Sequence, residues 1–178
     1  MKSKYNSLLF ITIILISCSP SYIQYHNSGY RKVQEKDYKG AIVDFNLSIE
    51  KNSKYWSSYN NRGACYIMLD SVKKAIEDFD KAIILNSDNS MAYDNRGMCK
   101  EALGDNIGAI EDYYLALENN GRFNISYTHL ALLFANMDSC KKSLYYLDIA
   151  IKRKAYDHCN TLEELILLKE KLEKQCKE

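Results

Sequence analysis

The sequence predicts an all-α repeat protein that ends in a capping helix. Three observations support this prediction: an internal period of about 34 residues, a single proline among 178 residues, and an amphipathic segment near the C-terminus. Proline breaks helix interiors and favours extended linkers, so its scarcity suits a chain that is mostly helical. The formal net charge of +1 gives no electrostatic reason to expect nucleic acid as a partner.

The first residues have the composition of an export signal. Two lysines precede an apolar run over residues 8–16, which is too short to span a bilayer because a spanning helix needs about 20 apolar residues. Residues 15–18 read Leu-Ile-Ser-Cys and resemble the lipobox of bacterial lipoproteins. This resemblance implies that residues 1–17 are cleaved, that the Cys18 thiol carries a diacylglycerol unit, and that residues 18–21 form a short linker. The alternative is an ordinary signal peptide or signal anchor with a chance cysteine.

A covalent lipid on Cys18 is the one non-protein group that the sequence leads us to expect. The new amino group of such a cysteine is usually acylated as well, for example with palmitate, and two or three acyl chains hold a protein stably on a membrane. Asp after the cysteine favours retention in the inner membrane, whereas this chain has Ser19. The resemblance therefore favours the outer membrane of a bacterial cell envelope.

Four segments share one pattern of small and aromatic residues, repeated at a constant interval along the chain. The first element of the pattern is a tyrosine, at Tyr25, Tyr59, Tyr93 and Tyr127. Small residues follow, at Gly29, Gly63, Gly97 and Ala131, and then at Ala41, Ala75, Ala109 and Ser143. This pattern resembles the tetratricopeptide repeat (TPR), which has an aromatic residue at repeat position 4, Gly at 8, Ala at 20, an aromatic residue at 24 and Ala at 27.

The resemblance divides residues 22–157 into four repeats, 22–55, 56–89, 90–123 and 124–157. It implies a right-handed α-solenoid of four helix pairs, each with a helix A and a helix B. Helices are expected at 22–35, 38–50, 56–69, 72–85, 90–103, 106–119, 124–137 and 140–153. The family's proline at position 32 is absent, and Asn52, Asn86 and Asn120 precede that position. Because asparagine tolerates a left-handed backbone, we expect it to close the B helices.

The stack is expected to end in a capping helix within residues 158–178. Thr161 and Glu164 have the spacing of a capping box, in which each side chain bonds the backbone N–H of the other residue. The apolar face predicted for this helix consists of Leu162, Leu165, Ile166 and Leu172. The opposite face is rich in lysine and glutamate.

In the TPR family helix A lines a concave groove that holds protein or peptide partners, with positions 2, 5, 9, 12 and 13 directed into it. The candidate binding residues are His26, Tyr30, Val33, Asn60, Asn61, Ala64, Met68, Met91, Asp94, Asn95, Met98, Glu101, Thr128 and Leu132. The three methionines near the middle suit varied apolar partners, because methionine is flexible and polarisable. Alternatively, they fill gaps between helices.

Some relatives hold the carboxyl terminus of chaperones in a clamp of basic residues and asparagines. Only one clamp residue is matched in either possible register, Asn61 in the first and Asn95 in the second. The groove positions contain no lysine or arginine, so recognition of an anionic chain terminus is not expected.

Two further pairings follow from the repeat register. Arg62 and Arg96 stand at position 7 of their repeats. Asp44 precedes Arg62 by the same number of residues as Asp78 precedes Arg96. Because helix B of one repeat faces helix A of the next, we predict two inter-repeat ion pairs, Asp44–Arg62 and Asp78–Arg96.

The six cysteines form no Cys-x-x-Cys motif. Cys65 and Cys99 share position 10 and are expected to be packed, reduced thiols, since equivalent positions in successive repeats lie about 10 Å apart, beyond the reach of a disulfide of about 7 Å. Antiparallel packing would bring Cys140 and Cys176 to one end of the stack, where either a disulfide or two thiols would fit.

No catalytic pattern is present in the sequence. The three histidines, His26, His129 and His158, lack a metal-like partner one helical turn away, and no phosphate-binding or nucleophile motif occurs. We therefore predict a non-enzymatic, membrane-anchored adaptor that binds protein partners. The alternatives are a self-associating scaffold of an envelope assembly and an accessory subunit of an envelope enzyme.

Overall fold

The computed structural model describes residues 20–119, 125–154 and 161–176, and all structural statements refer to these residues. Within them the chain forms nine helices and no strand. The helices are α1 (Tyr22–Gln34), α2 (Tyr38–Lys51), α3 (Trp56–Met68), α4 (Val72–Leu85), α5 (Ser90–Ala102), α6 (Asn106–Asn119), α7 (Ile125–Asn136), α8 (Cys140–Arg153) and α9 (Leu162–Gln175). The predicted all-α class is confirmed. The predicted signal segment, Cys18, Asn120, His158 and Cys159 lie outside the described residues.

Successive helices pack as four pairs, α1 with α2, α3 with α4, α5 with α6, and α7 with α8. Helix B of each pair also contacts helix A of the next, and α9 packs on α8. The A helices α1, α3, α5 and α7 are neighbours of one another, so they form one side of the stack. Among the described residues, no helix combines the length and apolar character that a bilayer span requires.

Glycine at position 8 is required by the aromatic ring at position 24. The rings of Phe45 and Phe79 are fully buried between helix A and helix B of their repeats. A Cβ atom added at Gly29 or Gly63 would lie 2.8 Å from the Cε1 atom of the facing ring, which is closer than van der Waals contact allows. The fourth repeat has Ala131 and Leu147 at these two positions, so a methyl group and a smaller side chain replace the glycine and the ring.

The turn from helix A to helix B has the same backbone in all four repeats. Position 15, occupied by Lys36, Asp70, Gly104 and Asp138, has a positive φ between 53° and 82°. The ends of the B helices differ from the prediction. Asn52 and Asn86 have extended backbones, and their side-chain oxygens accept hydrogen bonds from the N–H groups of residues 54 and 88 at 3.1 and 3.4 Å. These two helices therefore end in side-chain turns, not in a left-handed residue.

Helix α9 closes the C-terminal side of the stack. Thr161 and Glu164 form the predicted capping box. Leu165 and Leu172 are buried against α8, but Leu162 and Ile166 are 36% and 40% exposed, so the predicted apolar face is wrong for these two. The face of α9 that packs on α8 is therefore narrower than predicted, because Leu165 is buried while Ile166, the next residue, is exposed.

A disulfide joins Cys140, at the start of α8, to Cys176, at the end of α9, with their Cα atoms 6.0 Å apart. Of the two alternatives left open for these cysteines, the structure contains the bonded one. Cys65 and Cys99 are buried free thiols, as predicted, and burial raises the pKa of both to about 11.

Candidate protein-binding groove

The surface formed by the four neighbouring A helices contains an open cleft of about 340 Å³. We use the term A-helix groove for this surface, meaning repeat positions 2, 5, 6, 9, 12 and 13. The cleft lies between the C-terminal ends of α1 and α3 and the middle of α5. Six residues at predicted groove positions line it, together with two that were not predicted. The six are Val33, Ala64, Ile67, Met68, Asn95 and Met98, and the other two are Tyr38 and Cys65. Asn95 supplies the only amide or charged side chain in this lining.

Methionine side chains border the cleft and project into solvent. Met68, Met91 and Met98 are 58%, 50% and 41% exposed. About half of each side chain is therefore open to solvent, as a binding surface requires, although Met91 also contacts Asn60 of the preceding A helix at 3.7 Å. Three exposed thioethers on one surface offer an apolar contact that can change shape, since methionine has three rotatable bonds and no branch.

Position 5 does not open into the groove as predicted. The side chains there, His26, Asn60, Asp94 and Thr128, are all buried. The reason is that each A helix contacts the next A helix directly, so this position lies under the surface, between two helices. These residues form the floor of the groove, while positions 2 and 9, such as Met91 and Tyr30, form its exposed surface.

The floor between the first and second repeats is a chain of directed hydrogen bonds. The Ser48 hydroxyl donates to the Tyr22 carbonyl at 2.8 Å, and the Ser58 hydroxyl donates to Ser48 Oγ at 2.8 Å. Ser58 Oγ must then accept from His26 Nδ1, 3.0 Å away, which places the imidazole proton on Nδ1. Burial lowers the pKa of His26, so the ring is neutral at pH 7.

The floor between the third and fourth repeats is built around a buried carboxylate. Ser126 Oγ and His129 Nδ1 lie 2.5 and 2.9 Å from the same oxygen of Asp94. Although a serine, a histidine and an aspartate meet here, the serine hydroxyl donates its proton to the carboxylate. The arrangement therefore satisfies a buried charge and does not activate a nucleophile.

Both predicted inter-repeat ion pairs, Asp44–Arg62 and Asp78–Arg96, are wrong. Arg62 binds Asp78 of its own repeat through two nitrogens, at 2.6 and 2.8 Å, and Arg96 binds Asp112 in the same way at 2.6 and 2.9 Å. Positions 7 and 23 lie opposite each other within one antiparallel helix pair, which explains this choice of partner. Asp44 instead pairs with Lys32 of its own repeat at 2.7 Å.

The third nitrogen of each arginine does bridge two repeats. Arg62 Nη1 donates to Asn46 Oδ1 at 2.6 Å, and Arg96 Nη1 donates to Asp80 Oδ1 at 2.5 Å. Position 25 of the preceding repeat therefore supplies the inter-repeat partner. The sequence contains this signal, since Asn46 precedes Arg62 by the same interval as Asp80 precedes Arg96.

The remaining predicted groove residues are in mixed environments. Glu101 is half-buried and accepts a hydrogen bond from the Tyr113 hydroxyl at 2.9 Å. Asn61 and Leu132 are half-buried on their A helices. In the described part of the chain, no group of three or more His, Cys, Asp or Glu residues is placed to hold a metal ion.

The fold is that of solved TPR structures, and one repeat also matches the family by sequence. Residues 56–89, the second predicted repeat, match the sequence profile of the tetratricopeptide repeat. No curated protein sequence matches the chain. The fold and this match define an α-helical repeat protein, with the fold of TPR structures and one repeat, residues 56–89, that matches the TPR family by sequence.

Three solved structures illustrate the likeness. The MamA protein is 21% identical, with 88% of each chain covered and a TM-score of 0.69. The first TPR of Spaghetti (RPAP3), bound to the HSP90 peptide SRMEEVD, is 21% identical, with 66% of this chain and 94% of that chain covered and a TM-score of 0.64. The TPR domain of Arabidopsis OM64 is 25% identical, with 57% and 84% covered and a TM-score of 0.56.

Proposed function

We propose that this protein is an adaptor of the bacterial cell envelope, held on a membrane by a lipid on Cys18, whose A-helix groove binds a segment of a partner protein. The observation that supports binding most directly is the open apolar cleft with exposed methionines at its border. Soluble surfaces seldom expose several large apolar side chains together unless the patch has a partner.

The partner that this groove suits is not an acidic chain terminus. The TPR of Spaghetti is bound to a peptide that ends in Glu-Glu-Val-Asp. The groove positions of the present chain contain no lysine or arginine, and two of them are the carboxylates Asp94 and Glu101. A carboxylate brought here would meet no cation that repays its desolvation.

The disulfide supports an exported location. Disulfides persist in oxidising compartments such as the bacterial periplasm and are rare in the cytosol. The bond between Cys140 and Cys176 fits a chain that leaves the cytoplasm, as the lipobox-like residues 15–18 imply.

Binding is tested by photo-crosslinking of the full chain in its own membranes. A photoreactive amino acid at Met98, in the cleft, should give a crosslinked protein product. The same group at Ile84, which is exposed on helix B and outside the cleft, should give none. Substitution of Ala64 by Trp, which fills the cleft, should abolish the product at Met98. Equal products at both positions would contradict a role for the groove, and a product containing only this chain would favour a self-associating scaffold.

Anchoring is tested separately by metabolic labelling with palmitate. The full chain should incorporate the label and sediment with membranes, and a Cys18→Ser variant should do neither. A Cys159→Ser variant is the matched control, because it removes a different cysteine. Label that survives in Cys18→Ser would contradict the lipoprotein assignment.

A further inference from the structure

The capping helix α9 is held on the stack by few buried side chains. Of its 14 residues only Leu165 and Leu172 are buried, whereas the B helices α2 and α4, of the same length, bury four residues each. The two leucines pack in one cluster with the buried Leu147 of α8. The ion pair between Lys169 of α9 and Asp148 of α8 lies in solvent. The disulfide is therefore a main part of what fixes α9 to the fourth repeat.

The disulfide lies beside a cavity that is open to solvent. It joins Cys176, one helical turn after Leu172, to Cys140 at the start of α8. Cys140, but not Cys176, lines an open cavity of about 180 Å³. The other lining residues are Ala135, Asp138, Leu172 and Gln175. Because a water molecule takes up about 30 Å³ in the liquid, the thiol of another protein has room to enter this cavity.

The ends of the two helices give the bonded sulfurs different electrostatic surroundings. Cys140 is the first residue of α8, whose N-cap side chain makes no capping hydrogen bond, and Lys141 and Lys142 follow it. Unpaired N–H groups at a helix start and nearby lysines attract an anionic sulfur. Cys176 is the C-cap of α9, where the last carbonyl oxygens carry negative partial charge. An attacking thiolate is therefore drawn to Cys140, where Asp138, the one carboxylate among the described lining residues, is outnumbered by the two lysines.

We propose that the Cys140–Cys176 bond is a thiol–disulfide exchange site for a protein that carries two neighbouring thiols, and that its reduction releases α9 from the fourth repeat. Release uncovers Leu147 and Ala150 of α8, which are fully buried while α9 is docked. This inference is independent of the groove and of the lipid anchor.

The exchange has two steps that conserve electrons and protons. In the first, a thiol of the partner loses its proton, and the thiolate attacks Cys140 Sγ. The bond between the two Sγ atoms breaks, and its electron pair leaves with Cys176 Sγ, which takes up a proton. In the second, the partner's other thiol loses its proton and attacks the partner's own sulfur in the mixed disulfide, so Cys140 Sγ leaves and is protonated. The partner departs as a disulfide, and two electrons and two protons have passed to Cys140 and Cys176.

The attacked sulfur is identified with the full chain in detergent and a thioredoxin whose second active-site cysteine is replaced by serine, so that the mixed disulfide accumulates. Mass spectrometry of the digested product should place the thioredoxin on Cys140. The double variant Cys140→Ser/Cys176→Ser should give no product. Attachment at Cys176, or no product with the wild-type chain, would overturn the proposal.

The electrostatic argument is tested on the rate of the same reaction. Lys141→Gln/Lys142→Gln should slow formation of the mixed disulfide several-fold, because the attacking thiolate loses two attracting charges. Lys73→Gln/Lys74→Gln is the matched control, since these lysines occupy the same repeat positions in α4, and it should leave the rate unchanged. Equal slowing by both double variants would overturn a specific role for the lysines beside Cys140.

A third variant separates exchange on the folded chain from reduction after unfolding. Arg96→Leu removes a buried ion pair on α5 and should leave the rate of reduction unchanged. A bond that is reduced only after the stack unfolds would react roughly tenfold faster or more in this variant. Such an acceleration would overturn the proposed site.

Release of α9 is measured by hydrogen exchange before and after reduction. Exchange should rise first and most across Leu162–Gln175, and the double variant Cys140→Ser/Cys176→Ser should resemble the reduced wild-type chain. Protection of α9 that survives reduction, or an equal rise in all helices, would show that the bond does not control this helix.

Discussion

The interface between the second and third repeats and the interface between the third and fourth use the same three positions with different chemistry. In the former, Arg96 at position 7 joins Asp112 at position 23 to Asp80 at position 25 of the preceding repeat. In the latter, these positions hold Leu130, Tyr146 and Tyr114. The two tyrosine hydroxyls lie 2.8 Å apart. A hydrogen bond therefore crosses the interface between the third and fourth repeats at the place where an ion pair crosses the interface between the second and third.

The difference shows that these three positions change as a set. Leu130 offers no charge, so a carboxylate at position 23 of the fourth repeat would be buried without its arginine. Tyr146 at this position carries no charge and needs no arginine. Its ring stacks on Phe134 at a centroid distance of 5.6 Å. The fourth repeat thus replaces an ionic contact by an aromatic one, and the disulfide ties it to the capping helix.

The largest effect is expected from Arg96→Leu, which copies Leu130 into the third repeat. It leaves the buried Asp112 with Lys100, 2.8 Å away, as its remaining cationic partner. Loss of one member of a buried ion pair costs about 3–5 kcal/mol, and Lys100 keeps the expected loss near the lower end. Urea unfolding followed by circular dichroism measures it.

Two further variants sharpen this result. Adding Asp112→Tyr and Asp80→Tyr to Arg96→Leu reproduces the fourth-repeat set and should recover part of the loss. Arg31→Leu, on the exposed surface of α1, should change stability by less than about 0.5 kcal/mol. An unfolding midpoint of Arg96→Leu equal to that of wild type would show that the arginine contact contributes nothing.

The second effect concerns the disulfide between the fourth repeat and the capping helix. Cys140 and Cys176 are separated by 36 residues, and a cross-link of this span stabilises by about 2–4 kcal/mol, chiefly by restricting the unfolded chain. A thiol reductant should therefore lower the melting temperature of the wild-type chain. The double variant Cys140→Ser/Cys176→Ser should melt at that lower temperature and no longer respond to reductant. A further response would place the sensitive cysteine elsewhere.

The third effect tests the close approach of helix A and helix B. A Cβ atom at residue 97 would lie 2.7 Å from Tyr113 Cε1, so Gly97→Ala should destabilise by about 1–3 kcal/mol through overpacking. Adding Tyr113→Leu reproduces the Ala131 and Leu147 pair of the fourth repeat. The double variant should be more stable than the sum of the two single changes predicts. Strict additivity in thermal unfolding would mean that the two positions do not share space.

The constant repeat period predicted the helices well because each repeat places its small residues where helix A meets helix B. The same period made the ion pairs ambiguous. Asp44, Asp78 and Asp112 occupy one position, so periodicity alone does not distinguish an arginine's own repeat from the preceding one. Helix A and helix B of one repeat pack antiparallel, and this packing places each arginine beside the aspartate that follows it by 16 residues.

The groove was predictable in outline but not in depth. The exposed and half-buried A-helix residues of the cleft were identified from their position in helix A, but Tyr38 of α2 was not, and position 5 was assigned to the groove and is buried. Its burial depends on how closely successive A helices approach, and no single repeat contains that information.

The smallest effect isolates the hydrogen bond that replaces the arginine. Tyr146→Phe removes one hydroxyl and leaves the ring stacked on Phe134, so it should cost about 0.5–1.5 kcal/mol, well below Arg96→Leu. Tyr114→Phe should cost the same, and the double variant no more than either one, since both remove a single shared bond. Urea unfolding of the three variants measures this coupling. If the two losses add, the hydroxyls act independently, and the fourth repeat is held by its aromatic stacking and not by the contact that stands in for the arginine.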